Sequence, residues 1–200
     1  STVLVLAEAA ETRRYASRSA GDFARYGVSD VRVGLGDPLN RNSDPLPLGL
    51  LVGAWLLARG DWPLRSFGQT VAAAASPADC VQLGRSLGFD RSDPPGPGED
   101  PRVGVLVMGD GSARRSARAP GSFHPDAEAF DRSVAAALAT ADTAALRDLD
   151  PGIAEALMAA GRAPWQVLAG VADGRTWRSE LLYHDAPYGV GYFVASWSPG

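Results

Sequence analysis

Two histidines, one cysteine and no lysine bound the chemistry open to this 200-residue chain. The most suggestive polar spacing follows an apolar run, Val103-Gly104-Val105-Leu106-Val107-Met108. That run passes into Gly109-Asp110-Gly111-Ser112-Ala113-Arg114-Arg115-Ser116. Glycines let backbone N–H groups face a ligand, and hydroxyls and guanidinium groups add donors, so the loop is a candidate anion or small-ligand site. The plainer reading is a Gly-rich exit loop with solvated arginines. The spacing is not that of a Walker A loop, a dinucleotide fingerprint or a nucleophile elbow. His184 and Asp185 are neighbours that suit acid–base work or metal binding. Adjacent strand residues point to opposite faces, so at most one of them faces a given pocket. His124 precedes Pro125 at a helix entrance, where a cap is the simpler role. Asp126, Glu128 and Asp131 lie around the same helix start, where acids favour the helix dipole.

All nineteen basic residues are arginines. That excludes a Schiff-base lysine and a P-loop lysine. One cysteine, Cys80, excludes an intrachain disulfide and fits a reducing compartment, so a cytoplasmic location is expected. Three scattered His and Cys residues cannot assemble a zinc site of the usual kind. A net charge of −4 argues against nucleic-acid binding. The longest apolar stretch, Leu46 to Ala58, is about 13 residues and a span needs roughly 20, so no membrane segment is expected. A hydrophobic content of 46% supports an ordinary core, and the length suits one domain, residues 1–200. The chain begins on an apolar run without an initiator Met, as a trimmed or partial product would.

These residues need elements to position them. Residues 3–7 read as a parallel strand covered on both faces, and 103–108 as a second one. Val31-Arg32-Val33 is a short strand, and Phe67–Val71 reads as another. Leu48–Arg59 is a helix whose Gly49 and Gly53 permit close packing on a sheet. Ser76 caps a helix that starts at Pro77 and runs to about Leu87. Residues 90–101, with four prolines and two glycines, form a surface loop. Pro125–Ala139 is a helix with Phe130, Val134 and Leu138 on one face. Helices follow around Pro151–Ala160 and Ala163–Val171, with Trp165 a core anchor. Arg178–Tyr183 and Val190–Trp197 form an antiparallel hairpin. The expected fold is α/β, a central mostly parallel or mixed sheet flanked by helices with a C-terminal hairpin. Its site lies at strand C-termini.

Several segments together resemble the LigB-like superfamily, which comprises class III extradiol ring-cleaving dioxygenases and the Memo-like proteins. Gly109-Asp110-Gly111-Ser112-Ala113-Arg114 is similar to the family's Gly-Asp-Leu-Ser-His-Arg. Ala119-Pro120-Gly121, then Pro125 and Phe130-Asp131, follow at the family's spacing. Leu181 to Tyr192 resembles its closing Tyr-Glu-Gly-Pro-Phe-Gly-Val-Gly-Tyr. Ser19 to Gly27 resembles a Ser-Gly-Asp-Leu-x-x-Phe-Gly element. Active members hold Fe(II) with two histidines and a carboxylate, leaving positions open for a catechol and O₂.

The resemblance implies a lost iron site. The family's first strand, bearing a histidine, would precede Ser1. The positions of two further histidines are Ala9 and Ala113, and a histidine often found before the middle helix has no counterpart near Leu46–Leu48. Only Asp185 keeps a ligand position, in place of Glu. The expectation is therefore a small-molecule-binding pseudoenzyme without a cofactor, Fe(II) entering only if the site is completed from outside this chain. Asp110, Ser112, Arg114, Asp185 and Tyr188 would surround the pocket. The alternative is an active enzyme, oxidoreductase or other, completed by an upstream segment or another subunit, with His184 or Asp185 as acid or base. A third reading is a structural or interaction subunit, since related enzymes are oligomeric, with a homo-oligomer beside the small molecule among the expected partners.

Overall fold

The structure, a computed structural model, describes residues 2–36, 45–60, 65–87 and 103–200. The expected loop at 90–101 lies outside the described residues. The fold is mixed α/β, and the chain divides into two compact units. Residues 1–72 and 89–108 make the first, and residues 73–88 and 109–200 the second.

In the first unit, β1 (Thr2–Ala9) lies between β5 (Arg65–Ala72) and β6 (Val103–Val107) and is parallel to both. Val3 to Ala7 are buried, as a strand covered on both faces must be. β2 (Arg13–Tyr15) pairs antiparallel with β5, giving a four-stranded mixed sheet in the order β2-β5-β1-β6. β3 (Ala20–Phe23) and β4 (Val28–Gly34) form a separate two-stranded ribbon. β6 departs from expectation. Its apolar run predicts full burial, yet Val103 and Gly104 are exposed. The reason is position: it is an edge strand, and among the described strands it pairs with β1 alone.

Helix α1 (Leu48–Arg59) lies on this sheet, with Leu50, Leu51 and Ala54 in the core. A Cβ at Gly49 would stand 2.6 Å from the Ala7 Cβ, and one at Gly53 2.4 Å from Val5 Cγ1. Both glycines therefore let the helix backbone approach β1, as their spacing predicts.

In the second unit, α2 (Pro77–Ser86) starts at its cap, where Asp79 N–H donates to Ser76 Oγ at 3.1 Å. It crosses α6 (Arg162–Val171), the two packing closely at Gly84 and Gly170. A Cβ at Gly84 would meet Val167 O at 2.1 Å and Gly170 Cα at 2.8 Å. Backbone atoms cannot give way as side chains do, so Gly84→Ala must push the helices apart. The expected loss is about 2 kcal/mol, measured by urea denaturation.

α3 (Ala127–Thr140) buries Phe130, Val134 and Leu138 on one stripe. α4 (Thr143–Arg147) and α5 (Pro151–Ala156) follow, capped by Asp142 and Asp150. The hairpin of β7 (Trp177–Asp185) and β8 (Tyr192–Pro199) rests on α3. Ser179 Oγ donates to Ala139 O at 2.5 Å, and Trp197 Nε1 donates to Leu138 O at 2.8 Å. Among the described residues, no helix is long and apolar enough to cross a membrane.

Candidate functional site

The loop that follows β6 is neither helix nor strand, yet bonds from several directions fix its path. Asp110 O accepts from Gly161 N–H at 2.8 Å, and Ala113 N–H donates to Leu157 O at 3.0 Å. On its other side the loop runs beside the turn between β7 and β8. Gly111 N–H donates to Gly191 O at 2.7 Å, Gly191 N–H to Ser112 O at 2.9 Å, and Arg115 N–H to Gly189 O at 3.0 Å. Residues 109–115 and 189–191 are thus laced together.

A buried carboxylate stands at their junction. Asp131, on α3, has no solvent exposure. Its Oδ1 accepts from Ser112 N–H at 2.8 Å and its Oδ2 from Arg115 Nη1 at 3.0 Å. A Cβ on Gly111 would stand 2.7 Å from Oδ1, and one on Gly191 2.3 Å from Oδ2. Only glycine at both positions leaves room for the acid. Burial pushes the Asp131 carboxyl above its ordinary range. The Ser112 N–H, the Arg115 bond and charge, and the His184 charge pull it partly back. Its position near a helix start invited a dipole reading. The structure corrects that: Asp131 is a clamp on three chain segments. The two glycines facing one acid were the signal available in the sequence, but which acid they faced was not.

Ser112 and Arg114, expected around a pocket, both bond to the fold. Ser112 is fully buried, with Oγ donating to Leu157 O at 3.2 Å and accepting from Arg114 N–H at 3.1 Å. Arg114 Nη1 donates to Ala156 O at 2.8 Å, at the end of α5. Its methylenes lie against Gly121, where a Cβ would be 2.6 Å away.

His184 and Asp185 end β7. The His184 ring stacks on Phe193, with centroids 4.9 Å apart, and Phe193 meets Trp165 edge-on at 5.6 Å. His184 Nε2 is buried and has no hydrogen-bond partner among the described residues. Asp185 is exposed, its Oδ1 accepting from Ala186 N–H at 2.7 Å. It sits opposite Tyr192 across the hairpin. Tyr188 projects from the turn, 77% exposed. His124 lies at the α3 entrance, where its Nδ1 accepts from Asp126 N–H at 3.2 Å, a cap in effect.

Asp110 differs from the other polar residues here. Much of the residue is exposed, yet atoms packed around its carboxyl displace enough water to raise its pKa. The sign follows from linkage. A carboxyl raised in the fold costs stability once ionised, and costs nothing below its unfolded value. Asp110→Asn is therefore expected to stabilise the chain slightly at pH 7, by a fraction of a kcal/mol because solvent screens the charge. The gain vanishes as pH falls below about 4. Thermal melts of both chains across pH 3–7 check this, and an Asn variant that melts lower at pH 7 contradicts it.

Among the described residues no three His, Cys, Asp or Glu side chains gather. Asp131 is already bonded at both oxygens, and the alanine at position 113 has no donor to offer. What the arrangement does present is a carboxylate that bonds nothing among the described residues, two phenols and a half-buried imidazole on one pair of laced segments. A comparison of the chain with protein-family models found no match, and a comparison with curated proteins found none either.

Proposed function

We propose that this chain is a LigB-like domain that binds a small organic molecule at residues 109–115 and 185–192 and does not use iron there. One observation carries the reading. The two segments most similar to the family's motifs lie far apart in sequence, yet three backbone hydrogen bonds of 2.7–3.0 Å lace them together. Asp131 then clamps the junction. Loops held this rigidly around exposed polar groups suit recognition, because little ordering remains to be done on binding. The absence of iron rests on the donors: the resemblance assigns ligands to positions now held by Ala9 and Ala113, and Asp185 alone cannot hold Fe(II) against water.

The test is a fragment set titrated into the ¹⁵N-labelled chain. Amide shifts confined to Gly111, Ser112 and residues 185–192 are the expected result. Shifts only elsewhere would sink the assignment. In parallel, incubation with Fe(II) under anaerobic conditions should leave no stoichiometric iron after desalting. Retained iron near one per chain, with turnover of a catechol, would overturn the iron-free reading.

A further inference from the structure

β7 is an open edge with a charge near either end. Among the described strands it pairs only with β8, so the N–H and C=O groups of its other edge meet no strand. An uncovered edge is a template for another strand. The inner side chains of β7 serve the fold: Ser179 bonds Ala139 O, and the His184 ring stacks on Phe193. Its outer ones, Arg178, Glu180, Leu182, Tyr183 and Asp185, are exposed. Among the described residues Arg178, Glu180 and Tyr183 take no side-chain partner, and Asp185 takes only the adjoining Ala186 N–H. The pairing with β8 shifts between Leu181 and Tyr183, which leaves Leu182 outside the ladder, 57% exposed. Arg178 and Glu180 before the shift and Tyr183 and Asp185 after it thus share one face. From either end toward the shift, that face is complementary to itself. An antiparallel copy centred between Leu181 and Leu182 sets Arg178 opposite Asp185, and Glu180 opposite Tyr183, whose O–H donates to the carboxylate. Leucine meets leucine at the centre. β8 has no such pattern, since Tyr192–Pro199 holds no charged side chain.

We infer that β7 pairs edge to edge with the β7 of a second copy of this chain, antiparallel across a two-fold axis between Leu181 and Leu182. The two hairpins then form one four-stranded sheet in the order β8-β7-β7-β8. Each contact occurs twice, as an isologous interface requires. Charge selects the partner and its direction. Arg178 and Asp185 lie equally far from the centre with opposite signs, so an antiparallel copy satisfies both, whereas a parallel copy in register sets like charges together. This interface does not depend on the small-molecule reading.

Sedimentation equilibrium of the full chain over a dilution series is expected to show a mass rising from 20.9 kDa toward twice that value. Arg178→Asp and Asp185→Arg each set like charges opposite one another at both ends of the pairing. Each should raise the dissociation constant about tenfold. Both positions are exposed, so the variants keep the parent's fold, which circular dichroism checks. An equimolar mixture of the two variants should recover the dimer, because each supplies the charge that the other lacks. A mass of one chain at every dilution shows that the charges and the bulge protect the edge instead, and overturns the inference. So does a dimer indifferent to both variants, which uses another surface. Two weakened variants whose mixture stays as weak as each alone also overturn it, since the register is then wrong. Each of these outcomes leaves the small-molecule site standing.

Discussion

Replacing Asp131 by Asn is expected to cost about 3–5 kcal/mol, the range for removing one partner of a buried pair. The side chains are nearly isosteric, so no cavity term enters. What changes is donor and acceptor count. Both carboxylate oxygens accept, one from Ser112 N–H and one from Arg115 Nη1. An amide has one acceptor, so its NH₂ must face one of those donors. Arg115 then also carries an uncompensated charge, at a side-chain exposure of only 19%. Relaxation is blocked because Gly111 and Gly191 press on the carboxylate. Urea denaturation followed by circular dichroism measures the loss. Adding Arg115→Met should restore part of it, since an apolar chain needs no acceptor. A loss under about 1 kcal/mol would mean that the clamp is not what holds the laced segments.

The second large effect is expected at Arg162, which is 4% exposed and has no carboxylate partner among the described residues. Its Nη1 donates to Ala75 O at 2.7 Å and to Gln166 Oε1 at 3.0 Å, and lies 3.9 Å from Cys80 Sγ. Its Nη2 donates to Ala73 O. Arg162→Met strands three oxygen acceptors, the buried Gln166 Oε1 and the part-buried carbonyls of Ala73 and Ala75. Each orphaned acceptor costs about 1 kcal/mol, and the relief of no longer burying a cation offsets part of this, so the net loss is about 2 kcal/mol. Arg162→Lys should recover less than half. One ammonium cannot span Ala73, Ala75 and Gln166 as a planar fork does. Full recovery with Lys would show that charge, rather than the fork, is what the 73–75 segment requires.

Elements with strong local signals were legible. Ser76-Pro77 and Asp150-Pro151 combine a cap with a proline at the first helical position, and both helices start there. Leu48–Arg59 and the stripe of Phe130, Val134 and Leu138 follow helical periodicity, and the terminal hairpin follows from alternation about a Pro-Tyr-Gly turn. β2 was not legible. Two of its three residues are arginines, and it is a strand only because β5 offers it an edge. α4 was missed for a related reason. Five residues are too few to show a period, and Gln166 holds the chain after it by bonding Arg147 O and Leu149 O.

The site divides along the same line. Which chemistries are closed was readable from residue types: no lysine, one cysteine, two histidines and a loop rich in Gly, Asp, Ser and Arg. Composition and spacing are local properties, and they set what groups exist. Which of those groups are spent inside the fold was not readable. Arg114 and Arg115 are neighbours of the same type, yet one binds a helix-end carbonyl and the other a buried acid. Ser112 and Asp110 are two residues apart, yet one is sealed and bonded while the other's carboxylate bonds nothing among the described residues. Burial and partner choice depend on atoms contributed from α3, α5 and the β7–β8 turn, remote in sequence from the loop. A hydrogen bond satisfied across such a distance leaves no periodic trace in the residues that make it.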